Sequence, residues 1–142
     1  MLTKRTTFEV VFSPTGRLLA PLFLLASVFL PPQGLGFDIC LLHRLTGLPC
    51  PGCGLTRSIT SLTHGNFQQA GAYHPFGLVI WLIFVALTVY TFLPAGLRAR
   101  VASAAARNEA AIRPAYRLFI TSFISFGVAR FALDAFVGGG TP

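Results

Sequence analysis

Residues 76–93 run for eighteen positions without a charged side chain, FGLVIWLIFVALTVYTFL, between Pro75 and Pro94. As a helix this stretch rises about 27 Å, close to the ~30 Å hydrocarbon core of a bilayer. It is apolar on every side, so it suits either the centre of a large soluble protein or lipid. A chain of 142 residues cannot bury it in water, least of all when 54% of its residues are apolar and 11% charged, against roughly a quarter charged in soluble domains. Pro75 suits a first helical turn, and Trp81 and Tyr90 lie towards the two ends, where amphipathic rings favour an interface. The run is expected to span a membrane.

Two further runs join it. Residues 18–30 are shorter, thirteen positions closed by Pro31 and Pro32, but reach spanning length if the helix starts at Pro14 and Arg17 snorkels. A cleaved signal peptide competes with this reading, since Lys4 and Arg5 precede the run. The long lead-in and the following PPQGLG do not look like a small-residue cleavage site, so residues 14–30 are expected to be an uncleaved anchor. Residues 115–137 form the third run. Arg117 can snorkel at its start, while Arg130 and Asp134 stand four apart on one helix face as an intramembrane polar pair. They are expected to neutralise each other or to hold the preceding loop down; a transport path is the alternative.

The basic residues set the expected orientation. The chain carries eleven Lys and Arg against four Asp and Glu, a net charge of +7. Lys4, Arg5 and Arg17 precede the first span, and Arg98, Arg100, Arg107, Arg113 and Arg117 separate the second from the third. The longest connection, residues 31–75, has only Arg44 and Arg57. This asymmetry places the N-terminus and the basic loop 95–114 in the cytoplasm, and the long loop and C-terminus outside. The basic groups flank apolar spans and form no stripe interleaved with stacking aromatics, so the partner they imply is the bilayer and not nucleic acid. The loop 95–114 is expected to lie as a helix on the anionic inner surface.

The expected fold is a single all-α integral membrane domain with spans at 14–30, 76–93 and 115–137. A cysteine-containing loop, 33–75, with short interfacial helices joins the first two. Three short helices bury little against one another, which implies a homo-oligomer or a membrane-protein partner.

Chemistry concentrates in that loop. Cys40, Cys50 and Cys53 fall within fourteen residues, and their odd number prevents a closed disulfide framework. In Cys50-Pro51-Gly52-Cys53-Gly54 the two-residue spacer brings both sulfurs to one side, Pro51 stiffens the turn, and Gly54 permits a left-handed backbone. Cys40 and His43, three apart, face the same way on a helical turn. Cys40, His43, Cys50 and Cys53 therefore make a candidate Cys₃His set for zinc or a similar soft metal. The same residues support other readings. Cys50 and Cys53 could cycle between dithiol and disulfide with Cys40 as resolving thiol, or two of the three could form a structural bridge.

Beyond the turn, Leu55, Ile59 and Leu62 make the apolar stripe of an amphipathic helix, with Arg57, Ser61 and His64 on another face. That polar face is either solvated or lines a cleft in which Arg57 reaches a phosphate or carboxylate of a lipid or partner. Gly65 is expected to end the helix, and Asn66 with Gln69 to cap the next one. No Ser-His-Asp order, paired carboxylates or phosphate loop is present in the sequence, so an enzyme is not the expectation.

The stretch LTGLPCPGCGLTRSITSLTHGNFQQAGAYHP resembles the signature of an uncharacterised bacterial membrane family, domain-of-unknown-function family 2752. The resemblance rests on Cys40, Thr46-Gly47, Cys50 to Gly54, Thr56-Arg57 and Gly65-Asn66, and His74-Pro75 stands where that family has Asn-Pro. It implies a small protein of the bacterial inner membrane, with Cys40, Cys50, Cys53 and Arg57 acting as one unit. It names no substrate.

Overall fold

A computed structural model describes residues 6–31, 52 and 54–137, except for the side chains of residues 134, 135 and 137. Those residues are helical, with turns and no strand. Among the described residues seven helices follow in order: α1 (Thr7–Val11), α2 (Pro14–Phe29), α3 (Leu55–Thr63), α4 (Phe67–Tyr73), α5 (Gly77–Phe92), α6 (Ala95–Arg107) and α7 (Glu109–Val137).

Helices α2 and α5 form an antiparallel pair. Thr91 of α5 meets Arg17 of α2, and Phe84 meets Phe23 with ring centres 5.2 Å apart. The first of these contacts has a local cause. Pro21 lies inside α2 and has no N–H, which leaves the carbonyl of Arg17 without its helical donor. Thr91 Oγ1 supplies one from the neighbouring helix, 3.0 Å from the Arg17 oxygen, while also lying 2.8 Å from its own Leu87 carbonyl.

Against this pair sit α3 and α4. Helix α3 closes in a Schellman arrangement: Gly65 takes φ +80°, its N–H donates to Leu62 O, and Asn66 N–H donates to Ser61 O. Asn66 thus uses its backbone here, and its side chain makes no capping hydrogen bond to α4. The cap foreseen with Gln69 does not form. Helix α4 then turns through 113° into α5. The α3–α5 approach is close because Gly77 has no side chain: a Cβ there would overlap the Ser58 hydroxyl and lie 2.7 Å from Ser58 Cβ.

The basic segment is divided differently from its expected 95–114 extent. It breaks at Asn108, which receives no further turn of α6: its N–H and side-chain amide both donate back to Ala104 O, while its own carbonyl accepts from Ala111 and Ile112 N–H. Residues 109–114 therefore belong to α7, which continues through Pro114. Thr7 N–H and Oγ1 donate to Glu109 Oε1 at 2.9 and 2.6 Å, tying α1 to the start of α7. Further along, Phe119, Phe123 and Phe126 pack on His74 and Phe76. From Glu109 to Phe126 is about 25 Å at 1.5 Å per residue.

The buried interior is small and as polar as it is apolar. Among the described residues the buried apolar side chains are Ala20, Ile59, Leu62, Ala70 and Leu87, and the buried polar ones are Ser27, Ser58, Thr60, Ser61 and His74. Large apolar side chains lie outside, Leu18, Leu25 and Phe29 on α2 and Leu82, Val89 and Phe92 on α5 among them. Residues Glu109–Leu133 of α7 are long and apolar enough to cross a membrane, α4 with α5 would count as a second such element if the bent pair is one span, and α2 is apolar but shorter.

The role of Thr91 is open to a double-mutant cycle. Thr91→Val orphans the Arg17 carbonyl and is expected to cost about 1–3 kcal/mol. In a Pro21→Ala background, where residue 21 regains its N–H, that cost should fall by at least half, as read from thermal unfolding in detergent.

Candidate functional site

The cysteine-bearing turn leads directly into α3, and its described members are Gly52 and Gly54. Leu55 N–H donates to Gly52 O at 3.0 Å, closing the turn, and Ser58 N–H donates to Gly54 O at 2.8 Å, opening the helix. Gly54 adopts φ +89°, the left-handed backbone expected of this position. A second constraint was not legible in the sequence. A Cβ on Gly54 would lie 2.7 Å from the Tyr73 carbonyl oxygen, so the turn is seated on the last residue of α4.

Cys40, His43, Cys50 and Cys53 lie outside the described residues. Among the described residues no three His, Cys, Asp or Glu come together to hold a metal. The donor chemistry of the four suits zinc, since thiolate and imidazole are its usual structural ligands.

The faces of α3 are arranged differently from its helical-wheel reading. Ile59 and Leu62 are buried, as the stripe predicts, with Leu55 half-buried. Arg57 is half-buried and engaged, Ser61 is wholly buried with no hydrogen-bond partner for its Oγ, and His64 is exposed with Nδ1 2.8 Å from Thr60 O. These three do not share one solvated face. Helix α3 is contacted by α2, α4 and α5, and it meets them largely through hydroxyls. Ser and Thr allow this because they are short and can spend their protons on carbonyls of the same helix: Thr60 on Thr56 and Arg57, Thr63 on Ile59.

Two junctions follow that residue patterns alone did not single out. Ser58 Oγ donates to Ala70 O at 2.8 Å, joining α3 to α4. Thr63 Oγ1 lies 2.9 Å from Ser27 Oγ of α2 and accepts from the indole N–H of Trp81 of α5 at 3.3 Å. Ser27 also reaches Leu24 O at 2.7 Å. Two hydroxyl protons serve three oxygen contacts here, so they are shared, and the indole supplies the remaining donor. The one signal in the sequence was the crowding of Ser and Thr at 58, 60, 61 and 63 with a single cation, a polar face too weakly hydrated to require water.

His74 is the other residue the sequence underrated. It is 1% exposed, and its Nδ1 accepts the Phe76 N–H at 3.3 Å. Its ring lies 5.6 Å from that of Phe123 and 5.4 Å from that of Phe126, so it fastens α7 to the α4–α5 corner. Arg130, further along α7, is half-buried and engaged, and the Asp134 side chain is outside the described residues.

With this geometry in place, comparison with known proteins finds a family match over part of the chain. Residues 40–88 match the family model of DUF2752, a protein of unknown function. This stretch is similar to that family. It covers the cysteines, α3, α4 and most of α5, and with them the Ser58–Ala70 and Thr63–Trp81 contacts. No curated protein and no solved structure matches the chain.

Two substitutions test the junctions. Gly77→Ala should cost about 1–3 kcal/mol through overlap with Ser58, whereas Gly71→Ala, with open space around it, should be neutral or stabilising by up to ~1 kcal/mol; thermal unfolding compares them. Thr63→Val should weaken the fold by about 1–3 kcal/mol and shift the emission of Trp81, the chain's single tryptophan.

Proposed function

We propose that this is a small multi-pass protein of the bacterial inner membrane, in which α2, α5 and α7 cross the bilayer and a Cys₃His zinc-like site fixes the outer loop. The observation that carries the membrane reading is where the large apolar side chains lie. A protein in water hides them, whereas here they cover the outside of α2, α5 and α7, and the interior holds as many polar side chains as apolar ones. In lipid the same arrangement is favourable, because small polar side chains pack helices closely and hydrogen-bond across them.

The lengths fit with modest adjustment. Sixteen-residue helices such as α2 and α5 rise about 24 Å, and flanking residues at the interface cover the remainder. The orientation is supported by where the cations gather. Tyr90 near the end of α5 contacts Phe8 and Phe12 and carries the Arg17 guanidinium over its ring at 5.5 Å, and α1 contacts α6 and α7. Arg17, Arg98, Arg100, Arg107, Arg113 and Arg117 therefore belong to one pole, which the positive-inside rule places in the cytoplasm. The cysteine turn and α3 lie towards the opposite pole.

For the metal site, support comes from the donor set and from the backbone of the turn. Left-handed Gly54, seated on Tyr73, is the conformation a two-thiolate knuckle requires. Cys40, Cys50 and Cys53 would supply thiolates and His43 the imidazole. Bound metal would staple the long loop that joins two spans. In this reading the protein is a non-enzymatic membrane module, with Arg57 serving the loop and a second copy or another membrane protein covering the exposed helices.

Elemental mass spectrometry of the detergent-purified protein should find about one zinc per chain, lost in a Cys50→Ser/Cys53→Ser double variant. Absence of metal together with one disulfide per chain by thiol counting would sink the metal site and favour a redox or structural bridge between cysteines.

A further inference from the structure

Helix α6 is the one long helix among the described residues with no buried residue, although it is contacted by α1 and α7. Its sequence, AGLRARVASAAAR, places Leu97 and Val101 on one stripe, with Ala104 and Ala105 continuing it at 100° per residue. Leu97 is 47% and Val101 40% exposed, while Ala104 and Ala105 are half-buried, so the protein leaves the Leu97–Val101 part of this stripe only partly covered. On the same wheel Arg98 lies along one margin of the stripe, and Arg100 and Arg107, seven apart, lie along the other. A helix with a partly uncovered apolar strip bordered on both sides by long cations is built to lie flat at a lipid surface. The apolar strip sinks to the acyl boundary and the guanidinium groups reach the phosphates.

Among the described residues, no free acidic group faces the charges of this helix. Helix α6 contains no Asp or Glu, and the acidic groups nearby are committed: Glu9 to the Thr6 capping box, and Glu109 to Thr7 and, at 3.4 Å, to Arg113. Among the described residues Arg98, Arg100 and Arg107 have no acidic partner within ion-pair distance. Position adds to the argument, since α6 follows α5 directly after Pro94, and Tyr90 OH lies 3.5 Å from Arg98 O.

We infer that α6 is an in-plane helix that selects anionic phospholipid headgroups, with Arg98, Arg100 and Arg107 holding the lipid phosphates on either side of Leu97 and Val101. The inference rests on the membrane reading above and goes further by naming the lipid class and the residues that select it. Guanidinium suits the task because its planar fork binds two phosphate oxygens at once and keeps its charge at any physiological pH.

The test uses the full-length protein reconstituted into vesicles of neutral phosphatidylcholine, alone or mixed with phosphatidylglycerol. Co-flotation with neutral vesicles checks the membrane reading by itself, and failure there overturns both. Given flotation, phosphatidylglycerol should be enriched among the lipids retained on re-extraction and should raise the thermal midpoint. The apparent affinity should fall about fivefold for each of Arg100→Gln and Arg107→Gln, consistent with ~1 kcal/mol per basic residue at an anionic surface. Arg100→Lys should restore most of the effect. Flotation without enrichment, or Gln variants that retain wild-type enrichment, would overturn the inference. So would an equal thermal shift from inorganic phosphate in neutral vesicles, which would make this a site for a free anion.

Discussion

Hydroxyl groups join one helix to the next in this protein, and the rest of the architecture depends on how close they allow the backbones to come. Ser58 bonds to α4 across a gap that exists only because residue 77 is glycine, and Thr63 links α2 and α5 through Ser27 and Trp81. Thr91 serves the carbonyl that Pro21 leaves unserved. A leucine at any of these positions would add apolar contact but push the helices apart and strand a polar group. In a molecule with five buried apolar side chains among the described residues, such bonds are a large part of what is gained by folding.

The two poles of the molecule are built from different materials. At one, the described residues are rich in arginine and aromatic rings: Phe8, Phe12 and Tyr90 cluster beneath Arg17, and Thr7 fixes Glu109. Towards the other, the glycine turn, the hydroxyls of α3 and the buried His74 hold short helices in place. Helix α7 connects them, anchored by Thr7 to Glu109 at its start and by three phenylalanines on His74 and Phe76 further on. A metal at the cysteine turn would act on the second pole alone, because the turn is seated on Tyr73, next to that histidine.

The helix beside the proposed site was legible in part. The left-handed Gly54 followed from its place after a two-residue spacer, and the buried Ile59 and Leu62 followed from their spacing. The grouping of Arg57, Ser61 and His64 on a solvated face did not carry over. That reading assumed that polar residues on a helix face water, which holds when they are charged. Short hydroxyl side chains can instead be turned inward: Thr60 and Thr63 satisfy themselves on the carbonyl four residues back, while Ser61 is buried with its hydroxyl unpartnered.

By itself the sequence determined the helical class, the places where proline and glycine interrupt it, the spacing of the cysteines and the distribution of cations. These are local properties, set by propensity, periodicity and charge. Only the tertiary structure decided which side of each apolar helix meets another, that the basic segment ends at Asn108, and that His74 fastens α7. The reason lies in α5, which is apolar all the way round. Where the outside of a helix is as apolar as its inside, hydrophobic periodicity no longer tells them apart, and the choice passes to a few hydroxyls and one glycine whose partners are far away in the chain.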